Sequence, residues 1–354
     1  MTQRRLIIHI GWPKTGTSSL QAFLQTNWER LNSLGIEYPC DNNLPFVHDG
    51  HHGPLAACLD SAPPDYVPAA KHLDSDIVLR ALSGWLADTS HDVVLSSEHL
   101  SFRLADNAAV ARLRDSISGR QVRILCHLRR QDELALSAYG TEILCGRQAP
   151  FSTQEINPKN LLLNYSKALK PWANAFGSDN IALRAWQPGT DTRRDLLALL
   201  GCPLDGFIFG PLLNESLSFT AIEMLRAVNA HLVSVDRTPD TDTYRASIEA
   251  RLALRDLLPE GAPLSQIMDP VILGAALAGF REDNFWLAKT FKDAAFCREW
   301  MESAANPPLR GTAEVVDADL NIDVFARALA RASARLAGVS GDIVNSPTDL
   351  DSLP

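Results

Sequence analysis

The sequence predicts an α/β protein in which helices cover both faces of a central parallel sheet, a three-layer sandwich. Four short apolar runs have the length and β-branched content of buried strands, and they lie at 6–10, 93–97, 122–128 and 181–186. Segments with helical spacing of apolar residues separate these runs, as in successive βαβ units. Ligands of such sheets bind outside the carboxyl ends of the strands, so the residues that follow each run are candidates for function.

The first run leads into a helix through a short loop with two glycines. Gly11 and Pro13 end the strand, and a helical pattern begins at Thr17. A strand, a tight loop and a helix N-terminus together aim backbone N–H groups and the positive end of a helix dipole at one point. That point is a predicted anion site. The apolar positions of the helix are Leu20, Phe23, Leu24, Trp28 and Leu31.

The loop differs from the one that holds nucleoside triphosphates. That loop has a lysine directly after its second glycine. Here Gly11 and Gly16 have the expected separation, but Thr17 occupies the lysine position and Lys14 lies inside the loop. The fold is therefore predicted to be P-loop-like, with a loop that suits a shorter anion.

A second candidate site follows the run at 122–128. Arg129 and Arg130 come directly after it, and a helical segment continues to Ser137, eight residues beyond Arg129. An arginine at a strand end and a serine two turns into the next helix can face the same phosphate.

These two stretches resemble the family of sulfotransferases that use 3′-phosphoadenosine 5′-phosphosulfate (PAPS). The loop PKTGTSS is similar to the 5′-phosphosulfate loop of that family, and the Arg129–Ser137 spacing is similar to its 3′-phosphate motif. The later segments from Asn180, Asn214 and Phe280 resemble the bacterial, carbohydrate-type branch, so the similarity runs from about Arg4 to Phe291. The chain departs from the family pattern at Gln131, where a proline is common, and Arg130 could share the role of Arg129.

The resemblance implies an enzyme that binds PAPS without a metal and transfers its sulfuryl group to a hydroxyl or amine, on a carbohydrate or another small molecule. Lys14 would lie against the oxygen that bridges phosphate and sulfate, and Trp186 could stack on adenine. The residues implied to bind PAPS are Lys14, Thr15, Gly16, Thr17, Ser18, Arg129, Ser137 and Trp186.

The acceptor hydroxyl needs a base, and the run at 93–97 ends next to two candidates, Glu98 and His99. If strand alternation continues past Ser97, these two side chains point to opposite faces and only one can address the acceptor. The family uses either a glutamate or a histidine, and we rank Glu98 first.

A histidine-rich stretch, VHDGHHG, offers His48, Asp49, His51 and His52 as metal ligands. Metal sites favour ligands fixed on regular structure, which this glycine-flanked stretch lacks, so a loop that contacts the acceptor is the preferred interpretation.

Composition supports a single large domain and argues against several classes of partner. We predict a domain over 1–300 with helical insertions at 40–90 and 205–280, a helical extension at 301–337 and a disordered tail at 338–354. The net charge of −9 argues against nucleic-acid binding, and a nucleic-acid patch made of the arginines at 112–130 would not explain the loop at Lys14. The expectation of a cytoplasmic protein rests on the lack of a membrane-length apolar run, of a signal-peptide pattern and of C-x-x-C pairs.

Two other functions remain open: a P-loop enzyme that transfers a phosphoryl group, and a non-catalytic nucleotide-binding protein on the same scaffold. Magnesium dependence separates the phosphoryl-transfer enzyme from a sulfotransferase, and turnover separates the non-catalytic protein from both.

Overall fold

The computed structural model describes residues 4–60, 74–212, 218–234 and 270–305. The described residues divide into two compact units, one made of 4–60, 74–138, 152–212 and 270–305 and the other of 139–151 and 218–234. Residues 306–337 of the predicted helical extension and the predicted tail at 338–354 lie outside the described residues, as do parts of both predicted insertions. The domain boundaries therefore stay a prediction.

The first unit contains a sheet of five strands. The strands are β1 (Arg5–His9), β2 (Ile36–Glu37), β3 (Asp92–Ser96), β4 (Gln121–Arg129) and β5 (Ile181–Trp186). Their order is β2-β3-β1-β4-β5, and every neighbouring pair is parallel. This sheet and its flanking helices confirm the predicted fold class. The prediction missed only β2 among these strands, because two residues are too few to show a periodic pattern.

Helices connect the successive parallel strands, and four more described helices follow α9. They are α1 (Thr17–Thr26), α2 (Trp28–Ser33), α3 (Gly53–Ala57), α4 (Ser75–Asp88), α5 (His99–Phe102), α6 (Asn107–Ser116), α7 (Gln131–Leu144), α8 (Tyr165–Phe176), α9 (Thr192–Leu200), α10 (Phe219–Ser234), α11 (Pro270–Ala278), α12 (Arg281–Thr290) and α13 (Phe296–Ala305). Gly201 ends α9, which it caps in the left-handed conformation.

Both faces of the sheet are buried, which explains why its strands read as continuous apolar runs. One face packs Ile7, Val94, Leu125 and Ala182 against apolar residues of α1 and α9. The residues that alternate with them on the opposite face are also buried, and they include Leu6, Ile8, Val93, Leu95, Ile124 and Cys126. The central strand β1 thus lies in the core with the start of α1 at its carboxyl end.

The helix predicted from Thr17 is broken where the periodicity suggested continuity. Asn27 ends α1 and begins α2 with a non-helical backbone, and Trp28 is 50% exposed instead of belonging to the apolar face. The buried Asn27 amide donates to the carbonyls of Phe23 and Ile208 at 2.9 and 3.0 Å and accepts from the Ile208 N–H at 2.7 Å. A partner more than 180 residues away in sequence therefore decides where α1 ends.

We predict that Asn27→Ala destabilises the protein by about 2 kcal/mol, because it leaves buried backbone groups without partners. Urea unfolding measures the change, with Asn43→Ala as the control, since that asparagine is exposed and its amide bonds only locally to Asp41. Equal effects of the two substitutions would contradict this role of Asn27.

Candidate functional site

The loop between β1 and α1 is held in a conformation that two glycines permit. Gly11 and Gly16 have φ angles of 38° and 82°, and Lys14 itself has a φ of 65°. A Cβ atom on Gly11 would lie 2.8 Å from Thr17 Oγ1 and 3.4 Å from the Cα of Glu98. The loop backbone therefore passes too close to α1 and to the end of β3 for any side chain at Gly11.

Thr15 is placed inside this loop. Its buried hydroxyl donates to the Trp12 carbonyl at 2.6 Å and lies 3.3 Å from the Trp12 N–H. The Trp12 indole in turn donates to the carbonyl of Leu162 at 2.8 Å and its ring packs edge-on against Tyr165. The side chain of Thr15 thus helps to hold the loop shape, and its predicted contact with a ligand stays a prediction.

The N-terminus of α1 is suited to an anion. Gly16 is its N-cap residue, no side chain caps it, and its first turn contains no acidic residue. The first N–H groups of a helix have no acceptor within the helix, and they carry the positive end of its dipole. Ser18 is exposed in the first turn, where its hydroxyl can reach a bound group. Lys14 adds a full positive charge to the same loop.

Glu98 contacts this loop, although it lies in the segment after β3. Its carboxylate accepts a hydrogen bond from the side chain of Thr17, and the Lys14 charge acts on it. Burial raises the pKa of Glu98 above its usual value, whereas Lys14 and Thr17 oppose the rise. A carboxyl with a raised pKa is a stronger base than an exposed one. The structure therefore brings together the lysine, the threonine and one of the two candidate bases.

His99 lies in different surroundings. Its ring centroid is 6.5 Å from that of His51 and 6.3 Å from that of Phe102. The assumption that strand alternation separates Glu98 from His99 is wrong, because β3 ends at Ser96 and Glu98 is already helical as the N-cap residue of α5. The backbone at Glu98 and His99 is helical, so the alternation of a strand does not set the directions of their side chains.

Arg129 ends β4 as a buried cation with an incomplete set of partners. The side chain is 10% exposed, Nε has no hydrogen-bond partner among the described residues, and the nearest Glu133 oxygen is 3.6 Å away. The guanidinium lies over the ring of Trp186 at 4.3 Å from its centroid. Burial lowers the pKa of Arg129, but an arginine stays charged. A buried guanidinium with an unused N–H donor fits an anionic ligand.

Arg130 is engaged elsewhere, which separates the two arginines that the sequence left as alternatives. It forms a two-pronged pair with the buried carboxylate of Asp132, at 2.7 and 2.9 Å, and this pair raises the pKa of Arg130. Gln131, in the position where a proline was expected, is buried and donates to the Asn284 side chain of α12 at 2.7 Å. The amide at this position therefore fastens the turn after Arg129 to α12.

Trp186 connects the two predicted phosphate motifs. β4 and β5 pair Arg129 directly with Trp186, so the two side chains lie on the same face of the sheet. A Cβ on Gly16 would be 3.6 Å from Trp186 Nε1 and 3.4 Å from the hydroxyl of Thr192, the first residue of α9. The glycine loop, Trp186 and Arg129 thus form one continuous surface. Ser137 lies in the second turn of α7 and is partly buried.

The histidine-rich stretch forms a tight hairpin. His48 and His51 bond to each other through their backbones, and Asp49 and Gly50 both have positive φ angles. The side chain of His51 accepts a hydrogen bond from the Gly53 N–H at 3.0 Å, so its Nδ1 carries no proton, in agreement with the lowered pKa that burial gives it.

The metal interpretation of this hairpin gains no support from the geometry. His52 points away from the hairpin and into the protein, where it receives the Ser96 N–H at 3.0 Å. Within the described ranges, no three or more histidine, cysteine, aspartate or glutamate side chains come together in a way that could hold a metal.

Two residues that the sequence did not single out support the site. Tyr165 donates its hydroxyl to the Arg129 carbonyl, and Thr192 lies beside Gly16. Tyr165 lies in α8, 36 residues after Arg129, and Thr192 lies in α9 after β5, so no local pattern marks either residue.

Among the described helices, none is long and apolar enough to cross a membrane.

Comparisons with known proteins give a limited result. No protein-family model matches the chain. No curated protein matches it either. Among solved structures, the crystal structure of a sulfotransferase from Alicyclobacillus acidocaldarius is similar to this chain, with 17% identity and a TM-score of 0.38, over 69% of this chain and 100% of that chain. At that identity and TM-score, the function must be argued from the site itself.

Two buried histidines predict that acid destabilises the protein. Burial lowers the pKa of His52 to about 3 and that of His9 well below 6.5. Below pH 6.5 the unfolded chain binds protons that the folded protein excludes, so stability falls as the pH decreases toward 3, by about 1.4 kcal/mol per pH unit for each group.

We expect His52→Asn to reduce the slope of the free energy of unfolding against pH by the contribution of one proton. The asparagine oxygen can take the place of Nδ1, and it does not titrate. Urea unfolding at a series of pH values from about 7 to about 5 compares the two slopes. An unchanged slope would contradict the contribution of His52.

Proposed function

We propose that this protein is a PAPS-dependent sulfotransferase that transfers a sulfuryl group to a hydroxyl or amine of an acceptor. One observation carries the proposal: Lys14, Thr17 and Glu98 meet at an uncapped helix N-terminus, and Trp186 joins that point to the buried Arg129. A nucleotide with charged groups at both ends matches a surface with two anion sites separated by an aromatic ring.

The residues present fit such a donor. The unused Nε–H of Arg129 and its burial suit a phosphate, because a charge-assisted hydrogen bond would satisfy a donor that otherwise has none. Ser137 would complete this end. At the other end, the first turn of α1 and Lys14 would bind the phosphosulfate, with Ser18 at the open side. Trp186 lies between the two ends and offers a face on which adenine could stack.

The chain then supplies the groups that sulfuryl transfer requires. PAPS brings an activated sulfuryl group, and the protein positions it and stabilises the charge that develops on its bridging oxygen. Lys14 and the N–H groups of α1 provide that stabilisation. Glu98 takes the proton of the acceptor, and its raised pKa favours this role. Thr17, in the first turn of α1, orients the Glu98 carboxylate through its side-chain hydrogen bond.

We propose a carbohydrate or another hydroxylated small molecule as the acceptor, bound beside Glu98. His52, the residue after the hairpin at 48–51, contacts the end of β3, and His51 of the hairpin lies near His99. The hairpin would therefore form one wall next to the base. His51, whose Nδ1 accepts the Gly53 N–H, presents an Nε2–H donor when neutral. Neutral imidazole donors suit hydroxyl groups. The proposal places the reaction in the cytoplasm and assigns no role to a metal.

The donor assignment predicts selective binding of adenosine 3′,5′-bisphosphate. This compound should raise the melting temperature without magnesium, since ligand at a hundredfold over its Kd adds about 2.7 kcal/mol to the free energy of unfolding. Arg129→Ala should abolish most of that shift, whereas Arg130→Ala should retain it, because Arg130 is paired with Asp132. A shift of equal size with ATP, or one that requires magnesium, would instead favour a phosphoryl-transfer enzyme.

The base assignment predicts a different pattern in turnover, measured with labelled PAPS and a panel of acceptors. Glu98→Gln should bind adenosine 3′,5′-bisphosphate normally and lose about a hundredfold to ten-thousandfold in kcat. Lys14→Ala should also lower mainly kcat, and His99→Ala should lose far less. An inactive His99→Ala with an active Glu98→Gln would transfer the role to His99, and binding without turnover for any acceptor would favour the non-catalytic alternative.

A further inference from the structure

A buried row of polar side chains lies directly beneath the site. His9, Ser96 and His127 occupy three adjacent strands, β1, β3 and β4, and each is fully buried. The register pairs His9 with Ser96 on β3 and with Leu125 on β4, so His127 lies two residues further along β4 on the same face. We call His9, Ser96 and His127, together with Asp195 of α9, the polar layer. All three strand residues share the face that packs on α1 and α9, where alternation would otherwise continue the apolar core.

The position of the polar layer relative to the functional residues is regular. His9 precedes Gly11 by two residues, Ser96 precedes Glu98 by two, and His127 precedes Arg129 by two. Each strand residue of the layer therefore lies at or near the carboxyl end of its strand, two residues before a residue of the proposed site. The layer links the three strand ends that must hold the lysine loop, the base and the phosphate-binding arginine in register.

Hydrogen bonds divide the polar layer into two pairs. His9 Nδ1 lies 2.9 Å from Ser96 Oγ, and His127 Nε2 lies 2.9 Å from Asp195 Oδ2. The rings of His9 and His127 meet edge to face, with centroids 5.9 Å apart. His9 Nε2 and His127 Nδ1 have no hydrogen-bond partner among the described residues. Buried imidazoles with incomplete hydrogen bonding cost stability that apolar side chains would not.

Each pair also connects to a helix that shapes the site. Ser96 Oγ lies 3.3 Å from the side-chain amide of Gln21 in α1, so the first pair reaches the helix that begins at the lysine loop. Asp195 lies one turn after Thr192 in α9, the residue whose hydroxyl adjoins Gly16. The polar layer thus ties both helix N-termini to the strand ends.

We propose that the polar layer consists of positioning residues for the site: His9 with Ser96 sets the lysine loop and Glu98, and His127 with Asp195 sets Arg129. The proposal rests on the proposed function of the site. It follows that the two pairs act on different properties. The first pair governs the base and turnover, and the second governs the affinity for the 3′-phosphate.

The test of the second pair compares three variants by calorimetric titration with adenosine 3′,5′-bisphosphate. His127→Leu should weaken binding by about tenfold or more, since a displacement of about 1 Å can cost on the order of a hundredfold. His127→Gln should restore most of it, because its amide N–H can still donate to Asp195. Leu125→Ala, on the same face of β4 and one step deeper, is the matched control. It should lower the melting temperature and leave the affinity unchanged.

A ligand-free measurement tests both pairs and keeps this proposal separable from the proposed function. In NMR spectra, His127→Leu should shift the Arg129 Nε–H signal and leave the Glu98 carboxyl titration as it is. His9→Leu should change the Glu98 titration and spare Arg129, with His9→Asn restoring it and Ile7→Ala as its control. A wild-type protein that binds no adenosine 3′,5′-bisphosphate overturns the proposed function alone. The positioning proposal is overturned if the controls shift these signals as much as the histidine variants, or if neither signal moves.

Discussion

The close approach of the chain at Gly11 is the constraint on which the proposed site depends. Any Cβ there would collide with Thr17 Oγ1, and it would also lie 3.1 Å from the ring of His9. Because no side chain intervenes, the end of β1, the start of α1 and Glu98 after β3 come within contact distance. This approach places the buried carboxylate near Lys14 and Thr17, which oppose the rise that burial gives the pKa of Glu98.

Arg129 is a buried charge whose position is fixed by neighbours from other elements of the fold. Its backbone carbonyl receives the hydroxyl of Tyr165, its ring partner is Trp186, and the following turn is fastened by the Gln131–Asn284 amide pair. These partners fix the position of the guanidinium without completing its hydrogen bonds. Both arginines have a carboxylate neighbour, but Glu133 stays 3.6 Å from the Nε of Arg129, whereas Asp132 takes two close hydrogen bonds from Arg130.

The two proposed anion sites are connected through rigid parts of the fold. The strands that carry them are neighbours in the sheet. In the polar layer beneath them a hydrogen bond joins β1 to β3, and the ring contact of His9 and His127 joins β1 to β4. A nucleotide that binds at both ends requires a constant distance between those ends. Strand ends supply that distance more accurately than loops would, because the sheet and its covering helices leave them little freedom.

Local pattern alone determined the fold class, the strand runs except β2, the anion loop with Lys14 and the arginine at the end of β4. These features are short in sequence range: a β-branched run, two glycines in a loop or a charged residue after a strand reveals its structure within a few residues. The break of α1 at Asn27, the choice of Arg129 over Arg130, the grouping of Glu98 with Thr17 and the polar layer were decided only by tertiary structure. Each depends on partners that are distant in sequence or on burial: Ile208 for Asn27, Trp186 for Arg129, Lys14 and Thr17 for Glu98, and Asp195 for His127. A pattern read along the chain cannot show which distant side chains meet, because packing selects them only when the sheet and its helices are assembled.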